Sequence, residues 1–189
     1  MLPRLAAGRQ GRPAQPIRSS GGLAVGGPAC VNGGMQYAGG ERPILFLDVD
    51  GVLVVSSSEQ RADGTWWPTV GLVTDAAALL ARLAVAFDIR WATRWGHAAN
   101  TDLSPQLGLP MLPVVELDRP DTQWTKLPAV MEAAGSRAMA WIDDDLGHDE
   151  WSWANHRHEP TKLVQTEMAE GMSERHCEEL LAFAASVQR

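Results

Sequence analysis

The sequence predicts an α/β protein, a doubly wound, Rossmann-like, five-stranded parallel sheet with helices on both faces. Three observations predict it. From residue 43 onward, short apolar runs of strand length alternate with amphipathic helical segments. Two of those runs end in clustered acids, Leu47-Asp48-Val49-Asp50 and Ile142-Asp143-Asp144-Asp145. The acids thereby fall beyond the carboxyl ends of strands, where a sheet of this kind keeps its ligands.

Each element has a local reason. Ile44-Leu45-Phe46-Leu47 is a continuous apolar run, as in a strand covered on both faces. Residues 52–72 hold Gly64, Trp66, Trp67, Pro68 and Gly71 and read as a turn-rich excursion. Thr74-Asp75 is placed to cap a helix running to about Val85, with Ala76, Leu79, Leu80 and Leu83 at helical spacing. Phe87 to Ala92 is a second strand, and His97 to about Leu107 a short helix stopped by Gly108 and Pro110. Leu112 to Leu117 is a third strand. Trp124 to Ala134 is a helix ended by Gly135. Ala138 to Ile142 is a fourth strand, Asp149 to about His156 a helix, and Leu163 to Thr166 a fifth strand. Ser173 caps a last helix reaching about Val187, with Leu180, Leu181 and Phe183 on its apolar face. There is no internal repeat.

Residues 1 to about 40 differ in texture. They are rich in Gly, Pro, Ser and Arg, with Gly-Gly at 21–22, 26–27, 33–34 and 39–40. Such a stretch buries too little apolar surface to offset its ordering entropy, so the expectation is a disordered tail. The alternative is a mis-assigned start, with Met35 as the true first residue. Residues 41–189 form the folded domain, a size suited to one core.

Charge and cysteine content exclude some classes. The chain carries a net charge of -7, yet four of its basic residues (Arg4, Arg9, Arg12 and Arg18) precede residue 41. The remainder holds 12 basic against 23 acidic side chains, about -11. That balance disfavours a general duplex-DNA binder, which needs clustered Lys and Arg. Cys30 and Cys177 read as free thiols in a reducing cytoplasm. No apolar run approaches a membrane span, and no secretory h-region is present. His156-Arg157-His158 lacks a Cys partner and helical i, i+4 spacing, so His148, His156 and His158 read as surface residues rather than zinc ligands.

The strand ends carry the chemistry. Alternation along an extended chain puts Asp48 and Asp50 on one side, and Gly51 allows a sharp turn straight after them. Carboxylates this close repel, and a divalent cation is the usual way to hold them together. Thr93 ends the second strand. Lys126, one of two lysines in the chain, starts the helix before the fourth strand.

Asp48-Val49-Asp50-Gly51-Val52, Thr93, Lys126 and Ile142-Asp143-Asp144, in that order, resemble the four motifs of the haloacid dehalogenase (HAD) superfamily. Trp91-Ala92-Thr93-Arg94-Trp95, Leu107-Gly108-Leu109-Pro110, Lys126-Leu127-Pro128-Ala129-Val130 and Ala140 to Asp145 resemble the small actinobacterial HAD proteins. That branch is related to the HAD domain of Swiss Army knife RNA-repair proteins. The likeness covers about residues 43–187.

The resemblance implies a HAD-type fold and a magnesium-dependent phosphomonoesterase. Asp48 would be the nucleophile, forming an aspartyl-phosphate, and Asp50 the acid and base. Thr93 and Lys126 would hold the phosphoryl group. Mg2+ would be held by Asp48, the Asp50 carbonyl and Asp143 or Asp144. HAD enzymes of small metabolites usually carry a cap domain. Here residues 52–72 leave room for a hairpin-sized flap only, and residues 94–125 for one helix and a strand, so no large cap domain is expected. Capless members favour large substrates, which suggests a nucleic-acid end, a nucleotide or a phosphoprotein. Trp66 and Trp67 in the flap, Arg94, and Gly51 beside the acids are the candidate substrate contacts, with Trp95 and Trp124 also placed to border the site. Two other readings stand beside this one. One is a binding or regulatory module with the same pocket and little turnover. The other is a receiver-like phosphoacceptor, against which the two acids on one strand argue.

Overall fold

The computed structural model describes residues 41–117 and 125–188, and only the main chain of Glu59, Trp67 and Pro68. The expected disordered tail, the alternative start at Met35, and Cys30 and Trp124 lie outside the described residues.

Strands β1 (Ile44–Leu47), β4 (Asp88–Trp91), β5 (Met139–Asp143) and β6 (Thr161–Gln165) form one parallel sheet in the order β4-β1-β5-β6. β1 is central and its four side chains are fully buried. Its continuous apolar run follows from cover on both faces. Leu45 and Leu47 pack with α1 (Ala76–Ala86) and α5 (Glu174–Val187) through Leu80, Leu83 and Leu180. Ile44 and Phe46 face the opposite way, toward α3 (Leu127–Ala134) and α4 (His148–His156) through Val130 and Trp153. Burying side chains of this size is worth roughly 1.5–3 kcal/mol each, so the central strand is the anchor of the core.

Between β1 and α1 the chain makes the expected excursion, an antiparallel hairpin of β2 (Val54–Gln60) and β3 (Trp66–Leu72). Its tip is a tight turn in which Asp63 Oδ1 accepts from the Thr65 N–H at 2.9 Å and its hydroxyl at 2.6 Å. No other domain is inserted in this stretch between β1 and α1.

Three local expectations are corrected. The segment 112–117 contributes a single parallel bridge, Trp91 to Val114, and not a full strand. Trp91 N–H donates to the Pro113 carbonyl and Val115 N–H to the Trp91 carbonyl, at 2.9 and 2.8 Å. Pro113 offers no N–H of its own, which shortens pairing at this edge. The helix expected over 97–107 divides into a π-helical turn (Ala99–Leu103) and a short α2 (Ser104–Leu107). Asp75 precedes α1 in a left-handed conformation, φ 64°, and makes no side-chain cap.

At the amino ends of the strands, Asp88 accepts from Arg42 and Arg137 at 3.0 and 2.8 Å, tying the lead-in to β1 to the start of β4. Among the described residues no helix is long and apolar enough to cross a membrane.

Candidate active site

The register of the sheet builds the site. β1 and β5 are neighbours with Leu47 beside Ile142, so the next residues, Asp48 and Asp143, emerge side by side at the carboxyl ends. Here the chain has gone out to β4 on one flank and returned to β5 on the other, which is the switch point where such sheets hold ligands. Asp48 and Asp143 are both buried, 4% and 1% exposed. Lys126, immediately before α3, puts its ammonium 2.8 Å from Asp48 Oδ2 and 2.7 Å from Asp143 Oδ2. Asp143 is fixed further by the Trp141 indole N–H, 3.0 Å from Oδ2, and by the Asp145 N–H, 3.1 Å from Oδ1.

Asp144 completes the group. Its carboxylate occupies the space beside the turn at Gly51, where an added Cβ would lie 2.3 Å from Asp144 Cγ. With φ at +68° as well, only glycine suits this position. Oxygens of Asp48, Asp143 and Asp144 all lie within 4.8 Å of one another.

The electrostatics follow from that crowding. Burial pushes the Asp48 carboxyl up to about 6, with the Lys126 charge pulling down and Asp143 pushing up. Asp144 is also raised, by burial and then by Asp143. Burial alone would depress Lys126, but Asp48 and Asp143 outweigh it and hold the ammonium above its ordinary value. One ammonium thus stands among three converging carboxylates. A hard, divalent, oxygen-seeking cation of the Mg2+, Mn2+ or Ca2+ kind fits this donor set.

These residues open into a cavity of about 710 Å3. Asp48, Asp50, Arg94, Lys126, Asp143 and Asp144 line it together. Asp50 is exposed at this opening, and its Oδ2 accepts from the Trp95 indole N–H at 2.9 Å. The far wall holds Thr125, Gly147 and Glu150. There the buried Glu150 carboxylate accepts from the Thr125 hydroxyl at 2.7 Å and the Gly147 N–H at 3.0 Å.

Other expected contacts do not line this cavity. Thr93 is buried and absent from the cavity wall, and its hydroxyl accepts from the Trp95 N–H at 3.3 Å. Trp66 is 64% exposed on the hairpin and does not line the cavity, nor does Gly51. The Trp67 side chain lies outside the described residues.

Trp141, Glu150 and the bond from Trp95 to Asp50 were not foreseen as parts of the site. Trp141 had a signal: two residues before Asp143 on one strand, it shares that residue's face. Glu150 had a local signal as the third residue of α4, where its carboxylate reaches back to the Gly147 N–H, but its bond from Thr125 comes from another segment. Trp95 was expected to border the site, while its bond to Asp50 joins two segments far apart in sequence.

The family model described as the HAD domain in Swiss Army Knife RNA repair proteins matches residues 44–177, from β1 into α5. The chain belongs to this HAD family. Among curated protein sequences none matches it. Several solved structures are similar. One is a hypothetical protein from Xanthomonas campestris, at 17% identity and a TM-score of 0.43, covering 77% of this chain and 84% of that one. Another is the 3-deoxy-D-manno-octulosonate 8-phosphate phosphatase from Yersinia pestis, at 16% and 0.41, covering 78% and 82%. The enzyme of that name from Moraxella catarrhalis, solved with magnesium and phosphate ions and KDO, is at 17% and 0.39, covering 77% and 91%. Membership in the family rests on the match over 44–177 and not on these distant likenesses.

Proposed function

We propose that this HAD domain is a magnesium-dependent phosphohydrolase that works through an aspartyl-phosphate on Asp48. The observation that carries the reading is the buried Asp48–Lys126–Asp143 group at the switch point, with Asp144 in reach and Asp50 at the mouth. Asp48 is held by Lys126 on one oxygen, with its cavity side open to a phosphoryl group. In the first step an Asp48 oxygen bonds to phosphorus while the bond to the leaving oxygen breaks. Asp50 gives that oxygen its proton. In the second step a water attacks phosphorus, Asp50 takes its proton, and the bond from Asp48 to phosphorus breaks to release phosphate.

Lys126 and Arg94 line the space that the phosphoryl oxygens would fill, and their charges oppose the one that develops there. Thr93 supports the same loop through the Trp95 N–H. Asp48, the Asp50 carbonyl, Asp143 and Asp144 would hold Mg2+. When bound, the ion offsets the carboxylates and the charge on the transferring group.

The open cavity, with no inserted domain among the described residues, favours large phosphoesters, whose own bulk excludes water. The family's association with RNA repair supports a nucleotide or a nucleic-acid end within that class.

Phosphate release from p-nitrophenyl phosphate, in Mg2+ and in EDTA, tests the reading. Wild-type turnover should need Mg2+, and Asp48→Asn should lower it by at least about 10³-fold. A fully active Asp48→Asn, or no Mg2+-dependent release from any aryl phosphate, would sink it and leave a binding module on a HAD fold.

A further inference from the structure

Asp50 is asked to give a proton in one direction and take one in the other, so its carboxylate must be aimed. It is an exposed side chain on a turn, where several rotamers compete. Proton transfer needs one of its oxygens within hydrogen-bond reach of the reacting oxygen. The structure supplies a fixed partner in Trp95, whose indole N–H lies 2.9 Å from Asp50 Oδ2.

Trp95 is itself held at three points. Its main-chain N–H donates to Thr93 Oγ1 at 3.3 Å. Its carbonyl accepts from the Ala98 N–H at 3.0 Å. Its half-buried ring packs against the core cluster of Leu45, Leu47 and their neighbours. A large ring fixed by packing at one side and by backbone bonds at the other presents its N–H in one direction.

The chemistry of that group suits the task. An indole N–H donates and does not accept, and it carries no charge. It therefore does not compete for the proton that Asp50 transfers. It occupies Oδ2 and leaves Oδ1 for exchange with the leaving group and then with water.

We propose that Trp95 is a positioning residue, which aims the Asp50 carboxylate at the reacting oxygen through its indole N–H. This rests on the phosphohydrolase reading, and specifically on Asp50 as the proton-transfer group. It also gives Thr93 a definite place, since the Thr93 hydroxyl holds the backbone of Trp95.

The test is leaving-group dependence. Trp95→Phe keeps an aromatic ring on the core and removes the N–H together with part of the indole, so the comparison between esters separates the lost bond from the lost volume. kcat/KM reports events up to departure of the leaving group, the step in which Asp50 donates its proton. Phenyl phosphate needs that proton, whereas 2,4-dinitrophenyl phosphate leaves largely without it. Trp95→Phe should lose about 10-fold in kcat/KM on phenyl phosphate and about 2-fold or less on the dinitrophenyl ester. In an Asp50→Asn background the same substitution should cost nothing further, because the bond it removes no longer serves proton transfer.

An equal loss on both esters would overturn the proposal, since a general disturbance of the pocket acts on every substrate alike. A loss that persists in the Asp50→Asn background would overturn it too, as would a Trp95→Phe enzyme matching wild type on both. Those results leave the phosphohydrolase reading standing if the wild type turns over and Asp48→Asn does not. A wild type inactive on the dinitrophenyl ester with Mg2+ would instead overturn both.

Discussion

Lys126 stands between Asp48 and Asp143, and its ammonium offsets part of what burial costs the Asp48 charge. Burial has pushed the Asp48 carboxyl up to about 6, beyond what the Lys126 charge recovers. Such a group favours the folded state while protonated. Its contribution is full below about pH 4, where the unfolded chain also keeps its proton, and it is lost as pH rises to about 6. At pH 7.5 the ionised carboxylate is a net cost on the order of a few kcal/mol. Asp48→Asn should therefore raise the thermal midpoint of the protein in EDTA at pH 7.5, by about 4 °C or more, and do so much less at pH 4. Saturating Mg2+ should reverse the order, because an ion bound only by the folded state stabilises by about 2.7 kcal/mol at 100 times its Kd. Differential scanning calorimetry with and without Mg2+ at the two pH values measures all four cases. A lower midpoint for Asp48→Asn in EDTA at pH 7.5 would mean that the pairing with Lys126 outweighs the burial.

At the scale of elements, one buried side chain acts beside Pro113 in the main departure from what the sequence shows. Asn100 lies in the π-helical turn after β4 and is 7% exposed. Its Oδ1 accepts from the Trp91 indole at 3.0 Å, the Leu112 N–H at 2.9 Å and the Ser104 hydroxyl at 3.2 Å, while its Nδ2 donates to the Leu112 carbonyl at 2.8 Å. The segment after α2 is thus fastened to a helix side chain at Leu112 and reaches the sheet only at Val114. Asn100→Leu leaves the Trp91 and Leu112 N–H groups without this acceptor and should cost about 2–4 kcal/mol, read as a lower urea midpoint with an unchanged m-value. An effect under about 0.5 kcal/mol would mean that other groups or water replace the amide. Little in the local pattern points to Asn100: Ser104 lies one turn on, but its other partners come from a strand before it and a loop after it. β1 and β5 are different. Their apolar runs and terminal acids are a local consequence of burial on both faces, so strand, direction and active-site end could all be read from residues 44–50 and 139–145. Lys126 was legible as the start of α3. That its ammonium bridges Asp48 and Asp143, and that Trp66 stands away from the cavity, depend on how segments far apart in sequence meet.

For the molecule as a whole, charge and openness pull in different directions. A cavity with no domain over it among the described residues suits the large phosphoester, and the nucleic-acid end in particular, that we propose as substrate. Yet the chain is acidic, at -7 overall, and beyond the metal-holding group its cavity wall carries Asp50, Asp145, Asp149 and Glu150 against Arg94 and Lys126. A phosphorylated oligonucleotide brings many phosphates, only one of which reaches Asp48, and the rest meet a repelling field. At 0.1 M salt that field is screened over about 10 Å, and at 0.01 M over about 30 Å. Proteins that gather nucleic acid with Lys and Arg lose affinity steeply as salt rises. Here the slope should be inverted. Between about 20 and 200 mM NaCl at fixed Mg2+, kcat/KM on a 3'- or 5'-phosphorylated oligonucleotide should rise severalfold, as screening removes the repulsion. On a nucleoside monophosphate it should change much less, because the single phosphate is met by Lys126, Arg94 and the metal. On a phosphopeptide flanked by Lys and Arg it should fall. The three slopes separate a site that meets its substrate against the molecule's field from one assisted by a basic surface. A steep fall with salt on the oligonucleotide would show that basic residues gather the strand, and would make charge, rather than openness, the feature that selects it.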